Sequence, residues 1–340
     1  MIDEISMVRA DMLDGIDRFM RLNGGKKHLP FGGARVIMFG DPYQLPPVVT
    51  NPEEKQFLRE HYESQYFFSA NVFNVSFLET IELQQNFRQK EREFMDLLDE
   101  VRNKHTAFSA IQTLNDECLL SDRDGTAGGA IVLTSTNRRA DAINSARLKA
   151  LKTEEFTFEA DTTGDFKTAS KGRFPAPSAL VVKVGAQVMF LRNSREQGFV
   201  NGSMGTVTDL SEDEIEVRIE DEWGGSEVTI EKSEWESNKY KYDPDTSRIQ
   251  SEVVGTFTQY PLTLAWATTI HKSQGKTFDR VTLDLTDRAF EHGQVYVALS
   301  RCRTLEGLSL RVPLSMRDII VDSSVEAFFA EATGQHWTVD

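Results

Sequence analysis

The chain has 340 residues, enough for two domains with cores of their own, and its 39% hydrophobic and 27% charged content is that of a globular protein. No apolar run approaches the roughly 18 residues needed to cross a bilayer, and Asp3 turns the N-terminus acidic where a secretory signal would be basic and then apolar. Two cysteines, Cys118 and Cys302, are too few for a zinc cluster or a disulfide framework and suit a reducing cytoplasm, while a net charge of −15 argues against a simple nucleic-acid binder.

In chain order, Ile2-Asp3-Glu4 reads as the end of a short strand that presents two acids: an Asp placed to meet a magnesium-bound water and a Glu placed to polarise an attacking water. Ala10 to Leu22 follows as a helix with Leu13, Ile16 and Met20 on one face. Arg35-Val36-Ile37-Met38-Phe39-Gly40-Asp41 is continuously apolar up to its glycine, the pattern of a parallel strand buried on both faces. The prolines of Pro42-Tyr43-Gln44-Leu45-Pro46-Pro47 then hold the chain extended and display Gln44 beside the acids. A neutral amide there can donate to a phosphate oxygen and accept from water.

Ser76 to Leu83 reads as a strand leading to Arg88, and Phe94, Leu97, Leu98 and Val101 mark an amphipathic helix. Ala130 to Thr134 is a buried strand, after which Asn137 can cap a helix running to about Leu151. From Val184 to about Tyr260 the periodicity changes to short β segments, with a tight-turn signal at Asn201-Gly202. Val281 to Leu285 returns to buried strand and is followed by a helix through Tyr296 to Arg301. Much of the acidic excess lies between Asp209 and Glu236, whereas Arg138, Arg139, Arg147, Lys272 and Lys276 lie in or near the segments singled out here, so a local basic channel is compatible with the net charge. Trp266, Phe199 and Tyr260 are aromatic enough to stack on bases but suit a core, and Trp266 is assigned to one.

Asp3-Glu4-Ile5-Ser6-Met7 and Gly40-Asp41-Pro42-Tyr43-Gln44-Leu45-Pro46-Pro47-Val48 resemble motifs II and III of the RecD/Pif-type helicases of superfamily 1. Gln85-Asn86-Phe87-Arg88-Gln89 resembles motif IV, Thr134-Ser135-Thr136-Asn137 a turn that touches the DNA backbone, Ala265 to Thr277 motif V, and Tyr296-Val297-Ala298-Leu299-Ser300-Arg301 motif VI. The order is that of the family, and the segments span nearly the whole chain. The resemblance implies ATP hydrolysis with Mg2+ and 5′ to 3′ movement on single-stranded DNA. It assigns catalytic roles to Asp3, which meets the metal through water, and to Glu4, Gln44, Arg88 and Arg301; the two arginines would reach across the cleft. Gly40, Asp41, Gln274 and Gly275 belong to the nucleotide by the same resemblance, and Thr136, Asn137, Thr269, His271 and Lys272 to DNA.

A phosphate-binding loop needs Gly-x-x-x-x-Gly-Lys-Ser/Thr. Gly25-Lys26 is followed by Lys27 and has Met20 where the first glycine belongs, and Gly275-Lys276-Thr277 has Ile270 there. The expected fold is therefore α/β: an incomplete first RecA-like domain (1–85), and a second RecA-like domain (86–183 and 261–340) interrupted by a small β-barrel (184–260). Expected partners are single-stranded DNA and a polypeptide that supplies the loop. The expected location is the cytoplasm, at the nucleoid in a bacterium. The alternative is a non-catalytic DNA- or partner-binding remnant of such a helicase.

Overall fold

The computed structural model describes residues 1–75, 79–83, 89, 91–104, 106–121, 129–169, 174–219, 225–243 and 248–333. It divides into two compact units, one formed by residues 1–136 and 269–340 and the other by 137–268. Among the described residues no helix is long and apolar enough to cross a membrane.

The first unit begins with a parallel bridge between Ile2 and Met38. Helices α1 (Ala10–Asn23), α2 (Pro52–His61), α3 (Asn71–Val75), α4 (Arg92–Arg102) and α5 (Ala107–Cys118) follow, then strand β1 (Ile131–Thr134). Local chemistry sets several of these boundaries. Asn51 accepts the Glu53 N–H at 2.9 Å and Pro52 supplies a pre-set φ, which starts α2. The carboxylate of Asp14 on α1 accepts the N–H groups of Asn71 and Val72 at 3.1 and 2.8 Å, so one helix caps another. As expected, Leu13 is buried under α1, and Phe94, Leu97, Leu98 and Val101 under α4. Ile5, Ala10, Leu13, Phe31, Phe67, Ala70 and Val72 form one core cluster, against which Phe328 packs.

The chain enters the second unit with α6 (Asn137–Ala150), then β2 (Glu155–Glu159), β3 (Asp161–Gly164), α7 (Phe166–Ala169), β4 (Ala179–Lys183), β5 (Gln187–Phe190), β6 (Met204–Leu210), β7 (Ile215–Ile219), β8 (Ser226–Ile230), β9 (Ser233–Asp243), β10 (Arg248–Gln259) and β11 (Leu262–Leu264). β11, β5, β6, β7 and β8 form an antiparallel sheet in that order, while the long hairpin β9–β10 pairs with β3, and β2 pairs with β4. β structure thus begins at Glu155, upstream of the expected change at Val184: Phe156 and Phe158 alternate with polar residues, and Phe158 is buried in the core of this unit. Phe199 and Tyr260 are buried at 3% and 2%, and Trp266 packs against the same core, so none of the three is presented for base stacking.

Strand β12 (Ala267–Thr269) leads back into the first unit, through α8 (Ile270–Ser273), β13 (Val281–Asp284), α9 (Gln294–Leu299), β14 (Leu308–Leu310) and α10 (Ser323–Thr333). β1 and β14 flank β13, both parallel to it. All four residues of β1 and of β13 are buried, as their apolar runs require in a parallel sheet.

Two expectations about elements are corrected. The segment from Arg35 to Asp41 is not a strand buried on both faces: among the described residues only Met38 bridges, to Ile2, and Ile37 and Phe39 are 50% and 44% exposed, because a single bridge partner cannot cover both faces. Residues 79–83 form no strand and Leu83 is exposed; residues 76–78 lie outside the described residues. Asn201-Gly202 turns as expected, with Gly202 at φ 97°, within a connection over residues 191–203 that Ser194 and Phe199 pinch together.

Candidate functional site

Three backbone hydrogen bonds fix the acidic N-terminus. Ile2 N–H donates to Ile37, Phe39 N–H to Ile2, and Ile5 N–H to Phe39, each at 2.8 Å. Glu4 then turns into the left-handed region (φ 49°, ψ 47°) and opens a 3-10 turn at Ile5–Met7, a conformation that costs a non-glycine residue roughly 1–2 kcal/mol. Asp3 is exposed and its carboxylate accepts the Glu4 N–H at 3.0 Å. A side chain at Gly40 would press to 2.9 Å from the Ile5 nitrogen, so glycine is what lets the next loop pass the acids. In that loop Asp41 accepts the Tyr43 N–H through its carboxylate (3.1 Å) and the Gln44 N–H through its carbonyl (2.9 Å), which shapes the turn carrying half-buried Gln44.

This loop is buttressed by Tyr296, from the motif VI segment, and by Arg102, His292 and Gly293, which sequence patterns did not single out. Arg102, at the end of α4, lies 4.5 Å over the Tyr43 ring and approaches Asp41 at 3.5 Å and Glu82 at 3.9 Å. Tyr296 of α9 hydrogen-bonds the same Asp41, and burial raises its phenol pKa. His292 is 5% exposed: its Nδ1 accepts the Asp322 N–H at 2.9 Å, so its Nε2–H donates to the Pro42 carbonyl at 2.8 Å. Gly293, at φ 68°, packs so closely on the carbonyls of Tyr43 and Gln44 that a Cβ has no room.

Arg301 is 1% exposed. Its Nε donates to Val297 at 3.0 Å, one terminal nitrogen to the Lys276 carbonyl at 3.1 Å and the other to the Ser300 hydroxyl at 2.9 Å. The expected reach of this guanidinium toward a phosphate is not its position here; it faces oxygens of its own helix and of residue 276. Next to Lys276 stands Gly275, at φ 76°, and a Cβ on it would lie 3.9 Å from the Glu4 carboxylate. Glu4, Gly275, Lys276 and Arg301 are therefore successive neighbours. Burial, then Lys272, lowers the Lys276 ammonium pKa. Among the described residues the buried side-chain nitrogen of Gln274, next to Gly275, finds no hydrogen-bond acceptor, an orphaned donor that fits a phosphate or ribose oxygen. Arg88 lies outside the described residues. Its motif neighbour Gln89 is 3% exposed and donates to the carbonyls of Ser300 and Cys302 at 3.1 and 3.2 Å, which ties Gln89 to the Arg301 turn. Cys302 is fully buried and burial raises its thiol pKa, as suits a packed small residue.

The residues expected on the DNA side gather less completely. Thr136 donates from its hydroxyl to Asp287 at 2.7 Å, and His271 Nε2 stands 3.5 Å from Glu291. Thr269 is 5% exposed and its hydroxyl accepts the Lys272 N–H at 3.4 Å, so it caps α8, and Lys272 is exposed. Asn137 is the first residue of α6, inside the helix and in the other unit. Among the described residues no group of three or more His, Cys, Asp or Glu gathers as a metal cluster, and Asp3 is the carboxylate that would hold a Mg2+ here.

Comparison with known proteins identifies the family. A family model described as PIF1-like helicase matches residues 1–112, one described as DNA helicase Pif1, 2B domain matches 165–210, and one described as Viral superfamily 1 RNA helicase core domain matches 206–305. The chain is 34% identical to the ATP-dependent DNA helicase Pif1 of Bdellovibrio bacteriovorus, with 98% of this chain and 70% of that protein covered. It is 32% identical to the ATP-dependent DNA helicase PIF1 of Emericella nidulans, with 96% of this chain but only 48% of that protein covered. Among solved structures, Pif1 helicase from Bacteroides in complex with ADP-AlF3 and single-stranded DNA superposes with a TM-score of 0.75 at 36% identity, covering 98% of this chain and 75% of that one. These matches, over nearly its whole length, show that the chain belongs to the Pif1-like family of superfamily 1 DNA helicases.

Proposed function

We propose that this chain is the working portion of an ATP-dependent DNA helicase that moves 5′ to 3′ on single-stranded DNA, with its phosphate-binding loop contributed by a further polypeptide segment. The observation that carries the reading is the succession of Glu4, Gly275, Lys276 and Arg301, which brings a carboxylate and a guanidinium to the two ends of one short segment. In this scheme Asp3 would hold Mg2+, which would supply charge neutralisation at the phosphate oxygens. Glu4 orients the attacking water, Gln44 senses the terminal phosphate, and the Gln274 amide takes a nucleotide oxygen. Arg88 and Arg301 stabilise the transferring phosphoryl group. For Arg301 this requires the guanidinium to leave the Lys276 and Val297 carbonyls, so nucleotide binding would be coupled to a local rearrangement. Gly40 and Asp41 shape the loop that carries Gln44, while Thr136, Asn137, Thr269, His271 and Lys272 serve the strand. The division at residues 85, 183 and 260, the barrel form of the inserted β region and a location with the cytoplasmic DNA belong to the same reading.

The Bacteroides relative, solved with a nucleotide analogue and single-stranded DNA, supports both ligands. A second reading, a DNA-binding remnant without turnover, draws support from the inward-facing guanidinium of Arg301. The two readings separate when the chain is mixed with a polypeptide bearing a phosphate-binding loop and ATP hydrolysis is followed with and without oligonucleotide. Hydrolysis on mixing supports the enzyme; strand binding with no hydrolysis under any combination supports the remnant.

A further inference from the structure

The loop that carries Gln44 is short of backbone donors, because Pro42, Pro46 and Pro47 have no N–H. It is gripped instead by its carbonyls. Buried His292 donates from Nε2 to the Pro42 carbonyl at 2.8 Å and accepts the Asp322 N–H at Nδ1, at 2.9 Å. With one nitrogen donating and the other accepting, a neutral ring joins the backbone at residue 42 to the backbone at residue 322. The far end of this bridge is itself fixed: one carboxylate oxygen of Asp322 accepts the Ser324 N–H at 2.9 Å at the start of α10, and the other accepts the Tyr66 hydroxyl at 3.2 Å. Next in the chain, the Gly293 N–H donates to Ile320 at 3.0 Å, and Gly293 packs against the Tyr43 and Gln44 carbonyls. Residues 292 and 293 therefore hold residues 42, 43 and 44 in succession against a segment anchored elsewhere. Because a peptide unit is planar, pinning the Pro42 carbonyl also sets how the chain enters Tyr43 and then Gln44. The clamp stands at the start of α9, the helix that leads to Arg301.

We infer that His292 is a positioning residue for Gln44: by tying the Pro42 carbonyl to the backbone of Asp322 it sets where the Gln44 amide meets the nucleotide. The inference rests on the reading of Gln44 as the residue that senses the terminal phosphate. Two variants divide the bridge. His292→Gln keeps a donor at the ε position for Pro42, whereas His292→Asn keeps an acceptor at the δ position for Asp322 and loses Pro42. Each loses one hydrogen bond and the ring, so a purely structural role would make them alike. In the full 340-residue chain, His292→Asn is expected to speed amide hydrogen exchange at Tyr43, Gln44 and Leu45 about ten-fold or more, and His292→Gln to leave it near wild type. With ATP and the polypeptide bearing a phosphate-binding loop, His292→Asn is expected to lower kcat about ten-fold with KM unchanged, and to add no loss to Gln44→Ala. His292→Gln should hold kcat within about three-fold. Exchange or kcat at the wild-type level in His292→Asn, or a loss that multiplies with that of Gln44→Ala, refutes the positioning role and leaves the nucleotide reading standing. A wild-type mixture without hydrolysis removes that reading, and the positioning role with it. If His292→Asn does not fold, His292→Gln decides: a ten-fold loss of kcat there refutes the role.

Discussion

Arg102 and Tyr66 show how single side chains hold the first unit together around the candidate site. The Arg102 guanidinium covers the Tyr43 ring and faces Asp41, so Arg102→Ala removes a cation–π contact and the positive charge nearest that carboxylate. It should lower stability by about 2 kcal/mol, read from urea denaturation; a loss near zero would mean the stack is incidental. Tyr66 is 1% exposed, and burial with the nearby Asp322 carboxylate holds its phenol well above the ordinary tyrosine range, while burial and Asp14 push Tyr62 up to about 12. The folded chain keeps these protons where the unfolded chain loses them. Stability is therefore full below about pH 10 and falls as pH rises through the tyrosine range. Tyr66→Phe should make that fall shallower, and an unchanged slope would remove Tyr66 from the cause. None of this was legible in the sequence, because Arg102 meets residues 41, 43, 82 and 296 and Tyr66 meets residue 322. What could be read was chemistry by type, the acids at 3 and 4 and the arginine at 301, but not direction, and Arg301 points inward.

Among elements, the parallel strands and amphipathic helices were legible because periodicity reports burial directly: β1, β13, α1 and α4 lie where apolar spacing predicts them. The segment from Val36 to Phe39 misled for the same reason. Its apolar run reports what the chain can bury, whereas exposure depends on what packs against it, and here Ile2 alone bridges to Met38. The start of α9 is the element on which the Gln44 loop rests. Gly293 combines a positive φ with carbonyls of Tyr43 and Gln44 closer than a Cβ tolerates, so Gly293→Ala should cost more than about 2 kcal/mol. Gly129, at φ 76° with nothing among the described residues within 4 Å of a Cβ, is the control, and Gly129→Ala should cost only about 1 kcal/mol. Equal thermal shifts for the two variants would show that the approach of α9 to the loop is not tight.

For the whole molecule, the net charge of −15 and family membership meet in one expectation: strand binding carried by a local set of cations against an acidic background, and sensitive to salt in proportion to the phosphates they neutralise. Affinity for an oligothymidine should fall as salt rises, with a log–log slope of about −0.7 for each phosphate neutralised; a flat dependence would take the basic residues out of the interface. The central proposition is that the acids at the N-terminus and Arg301 serve one nucleotide. Its most direct measurement joins a phosphate-loop segment from a Pif1 relative ahead of Met1 and follows ATP hydrolysis in the joined protein and in its Glu4→Gln and Arg301→Ala variants. Hydrolysis that falls about 10³-fold with Arg301→Ala and at least about 10²-fold with Glu4→Gln is the predicted result. Hydrolysis that survives both substitutions unchanged would contradict it.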